Sequence, residues 1–287
     1  MLSNLFRLDG TPTLIGPNDN MPSMSPNDEV ANIVFEPGPW TPPKRRIRGV
    51  TFHDVAFSKT TISQITFTNC RFEDCLFIGT HLTEVEFHGC DFKNCNFWKV
   101  RFEKVYLHPD KIVFDERYRD EAANVGISVF QAMLSNFAEE RQDHYYMLAD
   151  IRFRRWKRFQ IAHERKRQNI TPWQARWQRL SSIVYEVVAG FGYRPMRFFG
   201  WTIVLFLLMS ALNHVLIGGS MRVEGNDVAH TSFVDSVYYT FSVLTVLGFS
   251  SVTPATGPAK LLTVIEALAS IGWLGIFTSV LIKRFLR

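Results

Sequence analysis

The chain has 287 residues, a formal net charge of +5 and 46% hydrophobic residues, with 25 Phe. That length holds two or three modules, and the mild basic balance matters less than where the charge sits. No catalytic triad, phosphate loop or metal-ligand cluster is visible and the eight His are scattered, so an enzyme is not expected.

Residues 1–46 carry eight of the 13 prolines, with Asn, Ser and Asp between them. Proline removes backbone donors and breaks regular structure, so a disordered arm is expected here. Its PPKRR at 42–46 reads either as a solvated linker or as a recognition tag. The opening MLSNLFRLDG has no long apolar core or cleavage site, so no secretory signal is expected.

From Val50 the chain repeats. A large apolar residue recurs every five positions from Phe52 through Phe57, Ile62, Phe67, Phe72 and onward to Leu107. Two residues before each stands a small or β-branched residue, from Val50 and Val55 to Val105. Twelve consecutive matches at both positions are not chance. A period of five fits neither the 3.6 of a helix nor the 2 of a strand, so the backbone must turn a corner at each repeat. The stretch 47–109 resembles the pentapeptide-repeat family. That resemblance implies a right-handed quadrilateral β-helix with four repeats per coil, hence three coils. At roughly 4.8 Å between stacked strands the rod is on the order of 14 Å long, with ends that need caps.

All four cysteines occupy the small inward position. Cys70 and Cys90, and likewise Cys75 and Cys95, are one coil apart and should stack. CRFEDC and CDFKNC have the wrong spacing for a common zinc knuckle, so core packing is expected and no metal or cofactor. Reduced thiols fit a cytoplasmic module. Residues 50–107 hold seven acidic and six basic residues, which argues against a DNA-mimicking rod.

Residues 110–195 read as a helical linker. A charged connector over 110–127 leads to a helix that Ser128 starts, with Gln131 placed for a capping box. After a turn near Glu140–Asp143 comes a second helix. Its later part, RFRRWKRFQIAHERKR, has eight Lys or Arg against one Glu. Basic residues interleaved with aromatics suit nucleic acid or anionic lipid headgroups. The membrane segments downstream favour lipid, at Arg152, Arg154, Arg155, Lys157 and Arg158, and no nucleic acid. Thr171-Pro172 is a helix start. Trp173, Trp177, Leu180, Val184 and Val187 then make a stripe, either lying in a membrane interface or packed on the preceding helices.

Phe198–Ile217 and Leu261–Ile282 are apolar runs of membrane-spanning length. Arg194 and Arg197 precede the first, and Lys283, Arg284 and Arg287 follow the second. The positive-inside rule puts both termini in the cytoplasm and the connecting segment outside. That segment, SFVDSVYYTFSVLTVLGF, is too apolar for a surface loop and should dip into the membrane as a short helix followed by irregular backbone. Irregular backbone at that depth survives only when buried in protein or lining a water-filled path.

VDSVYYTFSVLTVLGFSSVTP and the run after it resemble the pore module of two-helix potassium channels, residues 196–287. Asp235, Tyr238, Tyr239, Phe241, Thr245, Gly248, Thr253 and Pro254 match the family pattern, as do Glu266, Ala267 and Leu268 in the second span. Upstream, GFGYRPMRFFGW resembles the lead-in of bacterial pentapeptide-repeat proteins that carry such a pore. The resemblance implies a homotetramer in a bacterial inner membrane, with the filter at Thr245, Val246, Leu247, Gly248, Phe249, Ser250 and Ser251. In the family filter TVGYGD, carbonyl oxygens replace the water shell of K⁺. Here Val246 replaces the threonine, Ser250 the second glycine and Ser251 the aspartate. The expected permeant ion is K⁺ or another monovalent cation, with weaker K⁺/Na⁺ discrimination or slow conduction. Glu266 should hydrogen-bond behind the filter, to backbone amides or to Ser250 or Ser251. Gly272 and Gly275 are candidate hinges of the inner helix, and the family's usual hinge glycine falls on Ser270. No Arg repeat at voltage-sensor spacing lies in either span. The alternative is a non-conducting, membrane-anchored scaffold whose repeat domain binds a protein partner.

Overall fold

Every fifth residue from 49 to 104 is left-handed, with φ between +50° at Asp54 and +68° at Gly79. These are the corners that the five-residue period demands. Most are not glycine, and each such corner costs roughly 1–2 kcal/mol. Asp54, Asn69, Asp74 and Asn94 belong to the residue types that tolerate this conformation best. Burial of the inward column offsets the cost.

The fold is a computed structural model that describes residues 4–8, 10–16, 19, 21–42, 44–217, 220–223, 226–227, 232–245, 248, 250 and 252–285. It forms two compact units, Met1–Ser182 and Ile183–Arg287.

The first unit is built on short strands: β1 (Thr13–Ile15), β2 (Glu29–Phe35), β3 (Gly38–Trp40), β4 (Arg46–Arg48), β5 (Thr51–Ala56), β6 (Thr60–Ser63), β7 (Thr66–Thr68), β8 (Arg71–Glu73), β9 (His81–Thr83), β10 (Glu86–His88), β11 (Asp91–Lys93), β12 (Arg101–Glu103) and β13 (Ile112–Val113). Three parallel ladders run up its sides, ordered β1-β2-β5-β8-β11-β13, β3-β6-β9-β12 and β4-β7-β10. A fourth side carries single bridges, Ala56 to Leu76 and Leu76 to Asn96. The core is a set of stacked rings. Phe72 lies between Phe52 and Phe92 at centroid distances of 4.8 and 4.7 Å. Phe77 stacks on Phe97 at 4.8 Å, and Phe67 on Phe87 at 5.1 Å. The cysteines are buried in the same column. The Cys75 thiol donates to the Phe52 carbonyl and the Cys95 thiol to that of Phe72.

The arm over residues 1–46 is not disordered where it is described. It contributes β1 to β3 and the start of β4, and so a further coil below the three expected. Val30 pairs with Phe52, Ile33 with Val55, Trp40 with Ile62 and Ile47 with Phe67. Asn27 and Asn32, at φ +71° and +54°, are its corners. Pro39 is tolerated because β3 ends its ladder. The Leu5 carbonyl accepts from Asn96 Nδ2 at 2.7 Å on the fourth side. Arg45 and Arg46 of the PPKRR stretch belong to this coil rather than to a tail. Arg45 donates to Gln64 at 2.9 Å, and Arg46 pairs with Thr66.

The connector also differs from expectation. It holds β13 and α1 (Glu116–Glu121), and α2 (Ala123–Glu139) starts before Ser128. Ser128 is therefore helix interior. Its hydroxyl binds the Lys99 amide and the Phe97 carbonyl, so no capping box forms there. Asn136 of α2 holds both the amide and the carbonyl of Val105 at 2.8 Å, satisfying the upper rim of the solenoid as an added strand would. α3 (Asp143–Lys166) returns along α2, and Trp156 fills the space that a side chain at Gly126 would occupy. α4 (Pro172–Ala189) begins at Thr171, whose hydroxyl accepts from the Gln174 amide, and runs into the second unit.

The second unit continues with α5 (Pro195–Ile217), β14 (Met221–Val223), β15 (Asn226–Asp227), α6 (Phe233–Leu244), β16 (Val252–Pro254) and α7 (Gly257–Phe285). Between α4 and α5 the chain turns through Gly190, Phe191 and Gly192, all left-handed, at φ +54°, +59° and +90°. Lys283 of α7 donates to the Phe191 carbonyl at 2.9 Å and lies over the Tyr193 ring.

Candidate pore module

α5 and α7 contain membrane-length apolar windows, Pro195–Val215 and Gly257–Lys283. Ile203, Leu207 and Leu208 of α5, and Leu261, Leu268 and Leu274 of α7, are exposed in the single chain, as lipid-facing or copy-facing positions are. α5 and α7 hold each other through rings and one polar tie. Phe198 stacks on Trp273 at 4.9 Å, and Trp273 Nε1 donates to Thr202 at 2.9 Å.

α6 is the short helix expected between them. Ser232 and Asp235 form a reciprocal capping box at its start. Its last turn ends at Leu244 and Thr245, and the C-terminal end of a helix carries a partial negative charge that favours cations. Thr245 turns its hydroxyl back to the Phe241 carbonyl at 2.7 Å. Beyond it, Gly248 is left-handed at φ +66° with open space where a side chain would sit. Ser250 Oγ accepts from the Val252 amide at 3.0 Å. β16 then pairs antiparallel with β14, joining the segment after Ser250 to the segment after α5. The remaining expected filter positions, Val246, Leu247, Phe249 and Ser251, lie outside the described residues.

Behind this stretch three helices meet in a polar cluster. Asn213 of α5 donates through Nδ2 to Thr240 Oγ1 of α6 at 2.9 Å and to Glu266 Oε2 of α7 at 3.3 Å. The Thr240 hydroxyl donates to the Ser236 carbonyl at 2.7 Å. Tyr239 also hydrogen-bonds Thr263 across α6 and α7. Asn213, Thr240 and Glu266 are all buried, at 1%, 0% and 4% exposure. Glu266 thus pairs with Asn213 on α5, while the Ser250 hydroxyl accepts from the Val252 amide. Asn213 escapes a reading of the sequence because it is a lone amide in an apolar run. Its signal is that a polar side chain within a span needs a partner.

Ser270 is buried and donates to the Ala267 carbonyl at 2.7 Å, so it is part of the wall of α7. Gly272 and Gly275 lie within the continuous α7, and a Cβ at either would meet nothing within 4 Å. Close packing within one chain therefore does not require these two glycines. Of the expected lipid contacts, Arg152 is paired with Asp110 and Arg154 with Asp150, each at 2.9 Å, and Lys157 lies over the Phe153 ring. The first of these pairs ties α3 to the turn after the solenoid, and the other two lie within α3 itself. Arg155 and Arg158 are not free either. Among the described residues no three His, Cys, Asp or Glu side chains converge on a metal-sized site.

Comparison with protein families agrees with this division. A family model described as an ion channel matches residues 198–287. A second, described as pentapeptide repeats, matches residues 63–98 in eight copies. No curated protein and no solved structure shows a significant match to the chain. The chain therefore joins a pentapeptide-repeat solenoid, through a helical linker, to a two-helix ion-channel domain.

Proposed function

We propose that four copies of the chain assemble into a cation channel of potassium-channel architecture, with Thr245 to Ser251 of each copy forming one side of the ion path. One chain supplies one such stretch, so a closed ring of carbonyls needs several copies about an axis. The observation that carries the reading is α6, a capped helix between two membrane-length helices that ends where the left-handed Gly248 stretch begins. Carbonyls at that helix end and along the stretch are ligands for a monovalent cation, K⁺ or another. Val246 lacks the hydroxyl that completes the family's innermost ion site, and Ser251 lacks the charge at its mouth. The expected consequence is weaker discrimination between K⁺ and Na⁺, or slow conduction.

The same reading places the channel in a bacterial inner membrane with both termini in the cytoplasm. Arg194, Arg197, Lys283, Arg284 and Arg287 cluster at the ends that this orientation puts inside. The solenoid is then cytoplasmic, in keeping with its reduced thiols.

The test is ion flux through purified full-length protein in liposomes, comparing K⁺, Na⁺ and Cl⁻. Cation flux without Cl⁻ flux is expected. Absence of flux for all three, from protein shown to be inserted and tetrameric, would leave a membrane-anchored scaffold as the better description.

A further inference from the structure

The first unit holds a feature that the ion path does not use. The end of α3 and the first half of α4 enclose a cleft of about 350 Å³. Ile161, Ala162 and Ala175 line it, and Arg165, Lys166, Arg176 and Arg179 converge on it. No acidic side chain lines the cleft. None of the four cations forms an ion pair with a described carboxylate, in contrast to Arg152 and Arg154 earlier on α3. Four like charges around one concavity repel one another, and a bound anion relieves that repulsion. The volume falls in the range of small-ligand sites, about 300–1,000 Å³.

What lies beside the cleft indicates which anion. At about 100° per residue, Trp173, Trp177, Leu180 and Val184 share one face of α4. All four are exposed, the two tryptophans at 71% and 61%. Arg176 and Arg179 both lie on one side of this stripe, between it and buried Ala175 on the opposite face. An apolar stripe with tryptophans and arginines along one border is the chemistry of a helix lying at the membrane interface. The chain passes from Ala189 at the end of α4 to Pro195 at the start of membrane-length α5 with only a short turn between.

We infer that the cleft binds the phosphate of an anionic lipid headgroup, while the tryptophan stripe lies in the same leaflet. The inference rests on the membrane placement proposed above. It adds a lipid site that is separate from the ion path and from the ion-paired arginines of α3.

Full-length protein in neutral detergent is titrated with phosphatidylglycerol, phosphatidylcholine or inorganic phosphate, and bound lipid is counted by native mass spectrometry. Phosphatidylglycerol is expected to bind, phosphatidylcholine not, and inorganic phosphate to compete only weakly. The pairs R176Q/R179Q and R165Q/K166Q are each expected to lose roughly fivefold in affinity for every charge removed. The solenoid pair K59Q/K93Q should bind like the parent. Each variant is first shown to retain the parent's oligomeric state and melting profile. Equal phosphatidylglycerol binding by the parent and both cleft pairs overturns the inference, as does equally tight phosphatidylcholine. Phosphate binding with no lipid binding also overturns it. Flotation with liposomes separates the two levels of the argument. Protein that fails to float defeats the membrane placement itself, whereas protein that floats with cleft-independent lipid binding defeats only the site.

Discussion

Asn213 and Glu266, 53 residues apart in sequence, meet at 3.3 Å across α5 and α7. The same amide holds Thr240 of α6, so one side chain ties three helices together. Asn213 Oδ1 and Glu266 Oε1 are buried with no partner among the described residues. Replacing Asn213 by Ala leaves Thr240 and Glu266 oxygens short of a donor, at a cost of about 1–3 kcal/mol. A lower melting temperature of the full-length protein is expected, together with a shifted K⁺/Na⁺ reversal potential. An unchanged potential would make the cluster a purely structural tie. Asn213→Asp should be more damaging, because it sets a second carboxyl against the first.

The filter exchanges make a second prediction. Val246→Thr with Ser250→Gly restores two parts of the family pattern. Bi-ionic reversal potentials should then move toward K⁺. If the double variant discriminates no better than the parent, the two positions do not set selectivity.

In the solenoid, Phe72 is sandwiched between Phe52 and Phe92. Truncation to Ala should cost about 3–5 kcal/mol, the usual price of an emptied aromatic site. Arg71 beside it is exposed, and Arg71→Ala should be nearly neutral. Melting of the full-length variants, followed by limited proteolysis within residues 50–107, compares the two.

Cys95 gives the pH dependence. Burial, and then its hydrogen bond with Cys75, push its thiol well above the usual value of 9.0. The folded thiol stays protonated while the unfolded one ionises, so stability falls as pH rises beyond about 9. Cys95→Ala should lose part of that alkaline slope when melting is compared near pH 8 and near pH 10. All four thiols should resist maleimide until the solenoid unfolds, since all are buried.

At the opposite end of α7, Lys283 fastens the inner helix to the turn before α5. A Cβ on Gly192 would approach Lys283 Cδ to 2.8 Å and the Tyr185 hydroxyl to 2.9 Å, at a φ of +90°. Gly192→Ala should therefore destabilise the pore unit. Lys283→Gln should change open probability in single-channel recordings. Recordings indistinguishable from the parent would remove the turn from any account of gating.

The regular coils were legible because each repeats the same two inward residues at a fixed distance from its corner. The coil over residues 29–49 was not. Val30, Phe35 and Trp40 keep the five-residue spacing, but Asp28 and Arg45 stand where a small inward residue is expected, seven residues separate Trp40 from Ile47, and prolines at turns and on the end strand suggest disorder. Asn27 and Asn32, five apart, are a second trace of the pattern. The start of α2 was obscured because Gly126 looks like a breaker, although it is small to make room for Trp156. Glu266 was legible as a buried carboxylate, but its partner on another span was not, since only folding brings Asn213 to it.

The fixed corners also govern how this protein can change length. A coil gained or lost as a whole, twenty residues in register as from Phe52 to Phe72, would move the helical cap by one strand spacing, roughly 4.8 Å, and leave its heading unchanged. A gain or loss of a single pentapeptide would instead swing everything downstream by a quarter turn. Insertions and deletions in the rod therefore come in two kinds, one that alters reach and one that alters direction, and whole-coil changes can adjust the first without disturbing the second.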